Sequence, residues 1–249
     1  MNKNNIVPVG ITENCDPAYH LEIFDNLYDA NIIITKNLIT DELIEKLVLN
    51  KDKIILHVTC TGMGGSIIEP HTASKEVVHT YFKKLISAGF PIEQTVLRID
   101  PCIPTDKGIK TAISVVELFS DTGIKRVRFS SLDLYKHVKE RFSGNNIKLP
   151  YKSFHASNEM IMNLYTSLKE VTDKYNMELE TCAEPLIDTI PCLSQKDIDI
   201  LGLSDKIKLV GNAGQRKSCN CPKNKTQLIK GIKPTQCPNN CLYCFWKNN

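Results

Sequence analysis

Seven short runs rich in β-branched residues, separated by amphipathic stretches of helical period, constrain this chain more than any other feature. The runs cover residues 6–13, 30–37, 53–62, 94–102, 126–133, 177–185 and 207–212. Most are nearly continuous apolar stretches that end in polar or small residues, the pattern of strands covered on both faces. Between them, Val77, Val78, Tyr81, Phe82, Leu85 and Ile86 recur at helical spacing, with Ser74 as N-cap and Gly89 as stop. A second helix is expected after Thr40, with Asp41 and Glu42 in its first turn, where the helix dipole favours acids. Residues 110–123 and 157–176 follow the same scheme, and a short helix is expected at Ser194 with Asp197 in its N3 position. Strictly alternating strands and helices predict an α/β fold with a parallel sheet and right-handed crossovers. Closure into a full or partial parallel (β/α) barrel is the first expectation and an open doubly wound sheet the second. No GxGxxG follows the first run, which weakens a dinucleotide-binding version of the latter.

A length of 249 residues supports one large domain or two small ones. No apolar run approaches the roughly 18–20 residues that span a bilayer, and the N-terminal residues lack the basic-then-apolar layout of a signal peptide. A cytoplasmic protein with no membrane partner is expected. Ten cysteines then need a reason, and five of them (Cys219, Cys221, Cys237, Cys241, Cys244) fall in the last 31 residues. A disulfide framework would be spread more evenly, so metal binding by this tail is the better reading. The charge is lopsided too. The net of +3 divides into seven basic and no acidic groups from residue 216 onward, against 24 basic and 28 acidic groups before it. A basic, thiol-rich tail suits an anionic cluster or ligand, or non-specific contact with nucleic acid. The expected division is a barrel domain over 1–217 and a cysteine-rich tail over 218–249, packed on the barrel mouth.

In a barrel, chemistry collects where the strands end at their C-termini. The residues expected there are Glu13, Lys36, Cys60 with Thr61, Asp100 with Cys102, Ser130 with Asp133, Cys182 with Glu184, and Asn212. The tail is expected to leave the last strand near Asn212, which would deliver its cysteines to that mouth. Cys237, Cys241 and Cys244 have the spacing CxxxCxxC, with Tyr243 directly before the last cysteine. Three thiolates so close together can hold three corners of a [4Fe–4S] cube and leave one iron without a protein ligand.

This motif resembles the signature of the radical S-adenosylmethionine (radical SAM) superfamily, and Cys237, Cys241, Tyr243 and Cys244 match it position by position. The resemblance implies a full or partial (β/α) barrel, a [4Fe–4S] cluster on the three cysteines, and S-adenosylmethionine on the open iron. It also implies an external electron donor of flavodoxin or ferredoxin type, and a 5′-deoxyadenosyl radical acting on substrate. Most of that superfamily carries the triplet after the first strand, whereas here it lies at the other end. The late motif with an upstream CxC looks like a bacterial and phage family of unknown function, distantly similar to spore photoproduct lyase. That likeness invites a nucleotide or nucleic-acid substrate. By the same resemblance, Gly64, Gly65 and Glu69 stand for the Gly-Gly-Glu stretch that holds the amino group of S-adenosylmethionine, although Ser66 interrupts the match. Arg98 and Arg128, each on one strand face with an alternating partner, are candidates for a carboxylate or phosphate, or for an internal salt-bridge layer.

Cys219 and Cys221 leave several readings open. One of them can cap the fourth iron and close the cluster, the pair can hold a second metal, or Cys221 can join Cys237, Cys241 and Cys244 in a zinc site. Cys60, Cys102 and Cys182 lie near strand ends, where a thiol can give a hydrogen atom to a product radical or ligate a metal, or simply be a buried small hydrophobe. Two other classes of function stand beside the enzyme: a non-catalytic zinc or closed-cluster module that binds nucleic acid, and a barrel enzyme whose tail metal is only structural. No HExxH, GxSxG or Walker A motif supports a zinc hydrolase, a serine hydrolase or an NTPase.

Overall fold

The computed structural model of the protein describes residues 6–214, 218–230 and 237–246. Its centre is a sheet of seven parallel strands: β1 (Val9–Ile11), β2 (Asn31–Thr35), β3 (Ile54–Thr59), β4 (Thr95–Cys102), β5 (Arg126–Ser131), β6 (Glu178–Thr181) and β7 (Lys225–Gln227). The spatial order is β6-β5-β4-β3-β2-β1-β7. Each strand from β1 to β6 is thus laid beside its predecessor on the same side, and β7 returns to the far edge of β1. That is the winding of a (β/α) barrel with one open seam, because β6 and β7 are the two edges.

The helices are α1 (Asp41–Leu49), α2 (Lys75–Ser87), α3 (Asp106–Phe119), α4 (Lys136–Gly144), α5 (Asn158–Lys174) and α6 (Gln195–Ile200). Strand side chains alternate between faces, and the two faces differ here. Ile33, Leu56, Val58, Leu97, Ile99, Val127 and Phe129 pack against α1, α2, α3 and α5 in the main core. Burial of each such side chain contributes about 1.5–3 kcal/mol. On the other face, Val9, Ile11, Ile32, Ile55 and Val96 pack under α6 and the segment around Ile207. Further along, that inner face turns polar, with His57, Arg98, Arg126, Arg128, Glu180 and Lys225 on it. Helices α1, α2, α3 and α5 thus cover one face of the sheet, while α6 and a charged layer lie on the other, an arrangement that a barrel-type fold accommodates.

The expected caps are present. Ser74 and Thr40 cap α2 and α1, and Ser194 with Asp197 forms a reciprocal capping box on α6. Two elements differ from expectation. Residues 207–212 form no strand: only Ile207 among them is buried, and Val210 is 39% exposed. The seventh strand comes later, at Lys225–Gln227. It carries no apolar residue because its inward side chains, Lys225 and Gln227, both meet Glu13. So the tail beyond 218 supplies part of the sheet itself; the boundary expected at 217 lies outside the described residues. Helix α4 was not expected, since only Val138 and Phe142 of it are buried and Tyr135 gives no side-chain cap. No helix among the described residues is long and apolar enough to cross a membrane.

Candidate functional site

The strands' C-terminal ends surround a cavity of about 580 Å³. Glu13, Cys15 and Asp16 follow β1 into it, Lys36 follows β2, Asp100 comes from β4, Ser130 from β5, Asp133 and Cys182 just after β5 and β6, and Gln227 from β7. Of the residues expected at the mouth, Cys60 and Thr61 line a much smaller recess instead. Cys102 and Glu184 lie outside the cavity wall, and Asn212 is not at a strand end.

The cysteine triplet reaches this cavity: Cys237, Cys241 and Cys244 all line it, with Tyr243 between them. Their segment is tied down at several points. Asn239, buried, accepts hydrogen bonds from Asn37 (2.6 Å) and from the Tyr19 hydroxyl (3.0 Å). Asp16, which receives the Lys36 backbone N–H and the Thr35 hydroxyl at 2.7 Å each, anchors the same network. The Leu242 N–H donates to the Ile68 carbonyl at 3.0 Å. Arg141, on α4, donates to the carbonyls of Cys241, Leu242, Cys244 and Trp246. A guanidinium has a fork of five donors, and here it gathers a turn of backbone that has no ladder of its own.

Lys36 and Glu69 complete the anchorage. Lys36 Nζ donates to the Tyr243 hydroxyl (2.8 Å) and the Asp100 carbonyl (3.1 Å), and pairs with Glu69 at 3.4 Å. Tyr243 donates to Glu69 Oε1, while Thr61 and Thr72 donate to Oε2. Burial works against the Lys36 charge, but Glu69, Cys241 and Asp100 outweigh it and hold its pKa above the ordinary lysine value. Both oxygens of Glu69 are therefore engaged by the protein. Gly64 and Gly65 serve this arrangement structurally: Gly65 has φ +75° and donates its N–H to the Glu69 carbonyl, and a Cβ on Gly64 would stand 1.8 Å from the Ala73 carbonyl oxygen. The three residues expected to hold the amino group of a cofactor build the turn that holds Tyr243.

The thiols form two groups within the one cavity. In the first, Cys15 lies beside Cys237. Its hydrogen bond lowers the Cys237 pKa to about 7, while Cys15 is pushed far up by the same contact and by burial. Burial raises Cys241 to about 12 and raises Cys244 as well. In the second, Cys182 and Cys192 have their sulfurs 3.8 Å apart, and Cys221 hydrogen-bonds to both Cys192 and Cys219. Hydrogen bonds from Cys182 and Cys221 hold Cys192 well below the ordinary thiol value despite its burial. Hydrogen bonding from Cys221 brings Cys219 to about 6. Cys219 and Cys221 thus stand with Cys182 and Cys192, and the zinc site expected from Cys221 with Cys237, Cys241 and Cys244 is not assembled. Among the described residues, no three His, Cys, Asp or Glu side chains already surround a single ion.

The arginines divide as well. Arg98 lines the cavity, with Nε 2.9 Å from Asp100 Oδ2 and Nη1 3.3 Å from Cys192 Sγ. Arg128 does not: it is fully buried and paired with Glu180, which also takes Arg126 at 2.8 Å. Arg128 belongs to the salt-bridge layer because Glu180 stands opposite it on β6, whereas Arg98, opposite it on β4, takes Asp100 two residues along its own strand. Cys60 and Cys102 are buried singly; burial raises Cys60 to about 12 and holds Cys102 well above the ordinary thiol value. Cys15, Cys192, Asn239 and Arg141 were not singled out by sequence. Cys15 follows Glu13 by two residues just past β1, and that position was the available signal for it.

A [4Fe–4S] cluster suits the first group by its donor chemistry. Three thiols lie on one short turn held by backbone anchors, Cys237 and Cys244 are part-exposed to the cavity, and the Lys36 and Arg141 cations sit close by. No curated protein matches the sequence. A crystal structure of the protein CitE from Mycobacterium tuberculosis, in complex with magnesium, acetoacetate and coenzyme A, is similar at 7% identity, covering 74% of this chain and 68% of that one, with a TM-score of 0.32. Residues 19–246, which take in the thiols of both groups except Cys15, match the family described as a domain of unknown function, DUF1848, and the chain belongs to that family.

Proposed function

We propose that the protein is an iron–sulfur enzyme of radical-SAM type, with a [4Fe–4S] cluster on Cys237, Cys241 and Cys244 and S-adenosylmethionine bound in the cavity beside it. The observation that carries this reading is the delivery of all three thiols to one wall of a cavity of about 580 Å³ at the strand ends. That volume lies in the range of small-molecule and cofactor sites. When bound, such a cluster supplies the electron for reductive cleavage of S-adenosylmethionine. The chain's own part is orientation and shielding. Arg141, Asn239 and the Lys36–Tyr243–Glu69 cluster fix the turn that presents the thiols, and the barrel wall limits access of water. Glu69, Gly64 and Gly65 support the turn beside the cavity, and Arg98, Ser130 and Gln227 on the cavity wall are further candidates for the polar groups of S-adenosylmethionine. A nucleotide or nucleic-acid substrate agrees with the basic residues beyond 216, and an external one-electron donor is required.

A second reading has one observation in its favour. Cys15 touches Cys237 and could occupy the fourth iron, giving a closed cluster that transfers electrons only. Anaerobic purification, iron and sulfide analysis, and electron paramagnetic resonance of the reduced protein separate the two. The proposed function requires about four irons and four sulfides per chain, a spectrum that changes on adding S-adenosylmethionine, and 5′-deoxyadenosine as product. A cluster indifferent to S-adenosylmethionine in the wild type, but responsive in Cys15→Ala, would establish the closed site instead. Cys241→Ala is expected to abolish iron binding.

A further inference from the structure

The second thiol group has no part in the proposed function, and its position in the sheet gives it a different use. Cys182 directly follows β6, whereas Cys219 and Cys221 lie on the approach to β7. Those strands are the two edges of the sheet, and no ladder joins them. The four cysteines therefore stand across the seam of the barrel. We propose that Cys182, Cys192, Cys219 and Cys221 bind one tetrahedral zinc-type ion that closes this seam as a structural staple.

The thiols come from three separate segments, yet all four are buried, with exposures between 0% and 6%. The Cys182 and Cys192 sulfurs are 3.8 Å apart. Zinc–sulfur bonds of about 2.3 Å in a tetrahedron put sulfurs about 3.8 Å from one another. The irons of a cube hold their thiolates on separate corners and keep them wider apart, so this spacing favours a single ion. As they stand, the sulfurs form a hydrogen-bonded row rather than a shell, and exchange of the shared protons for a metal is the step that would draw them together. Elements of an outer shell are already in place. The Cys192 N–H donates to Cys221 Sγ at 3.3 Å, and Arg98 donates to Cys192 Sγ at 3.3 Å. Four thiolates around a divalent ion carry two negative charges, which Arg98 and the buried Lys225 are positioned to offset.

The loops that bear the ligands are also fastened to each other. Asn220 donates to the Thr189 hydroxyl at 2.9 Å, Thr189 to the Ser218 carbonyl at 3.3 Å, and Asn212 to the Cys219 carbonyl at 2.8 Å. Four protein ligands leave no open position, so the ion is structural and not catalytic.

Elemental analysis of the purified full chain tests this, and the variants separate it from the iron site. About one zinc per chain is expected, retained in Cys241→Ala and lost in Cys192→Ser and Cys219→Ser. Zinc-edge X-ray absorption of the wild type, which needs no variant to fold, is expected to show four sulfurs at about 2.3 Å. Absence of zinc from the wild type, or a zinc shell containing nitrogen or oxygen, overturns the proposal. So does iron with sulfide that survives Cys241→Ala and disappears in Cys219→Ser, because the second site would then hold a cluster. Failure of the S-adenosylmethionine experiment leaves the zinc content untouched, so the two readings fall separately.

Discussion

At the scale of single residues, the inner face of the sheet sets a buried charge arrangement beside its apolar layer. Glu180 sits between Arg126 and Arg128, all three at most 3% exposed. Burial alone would raise the Glu180 pKa, but the two guanidiniums outweigh it and hold it below the ordinary glutamate value. Removing one partner of a buried ion pair typically costs about 3–5 kcal/mol, since the other charge is left uncompensated. Glu180→Gln should therefore destabilise the protein by about that amount at pH 7. The sign of the pH dependence follows from the lowered pKa: the contribution is complete above the unfolded value of about 4.5 and is lost as pH falls through the folded value. Urea unfolding from pH 7 downward should show the gap between wild type and Glu180→Gln narrowing below pH 4.5; a gap independent of pH would mean that charge is not what Glu180 supplies. Sequence made Arg98 and Arg128 visible as candidates for a salt-bridge layer, because alternation fixes which side chains share a face. It could not tell which carboxylate each arginine takes, since that depends on the stagger between strands.

At the scale of elements, the short pieces do more than their length suggests. Helix α6 spans six residues, too short to persist by propensity alone. The box formed by Ser194 and Asp197 caps it, and Asp197 also reaches Arg126 at 2.8 Å. Ser194→Ala should cost about 0.5–2 kcal/mol, the usual range for an N-cap, measurable as a shift of the thermal midpoint. Helix α4 holds the triplet through the hydrogen bonds of Arg141, beside the packing of Val138 and Phe142 in one cluster with Cys241, Leu242 and Tyr243. Arg141→Ala is expected to lower iron content after anaerobic reconstitution while leaving the far-ultraviolet circular dichroism near that of wild type; full iron occupancy would remove Arg141 from the anchorage. The caps at Thr40, Ser74 and Ser194 were legible because each lies directly before a helical period. β7 was not, since a strand of Lys, Thr and Gln has no apolar signal when its partners are Glu13 and the edge of β1. α4 was missed for a related reason: two buried side chains one turn apart fall below what periodicity detects. The triplet was legible from spacing alone, whereas its neighbour Cys15 and the foursome across the seam depend on strand order, which spacing does not encode.

At the scale of the whole molecule, barrel and tail are not separable units, because the sheet takes a strand from the tail. A chain ending after Lys230 keeps β7 and the thiols across the seam but lacks the triplet. It should unfold cooperatively and bind no iron. A chain ending after Gly214 lacks β7, exposes the edge of β1 and leaves Glu13 without Lys225. It should aggregate or fail to show a cooperative transition, and a well-folded product would mean that β7 is dispensable. The seating of the last strand beside the first also sets an order of events during synthesis. At roughly 5–20 residues per second, the edge of β1 waits about ten to forty seconds for Lys225 to be made. For nearly all of that interval Cys15 is present without Cys237, and Cys182, made late in it, has Cys192 but not yet Cys219 and Cys221. Neither thiol group can be assembled on the growing chain before its closing segment emerges.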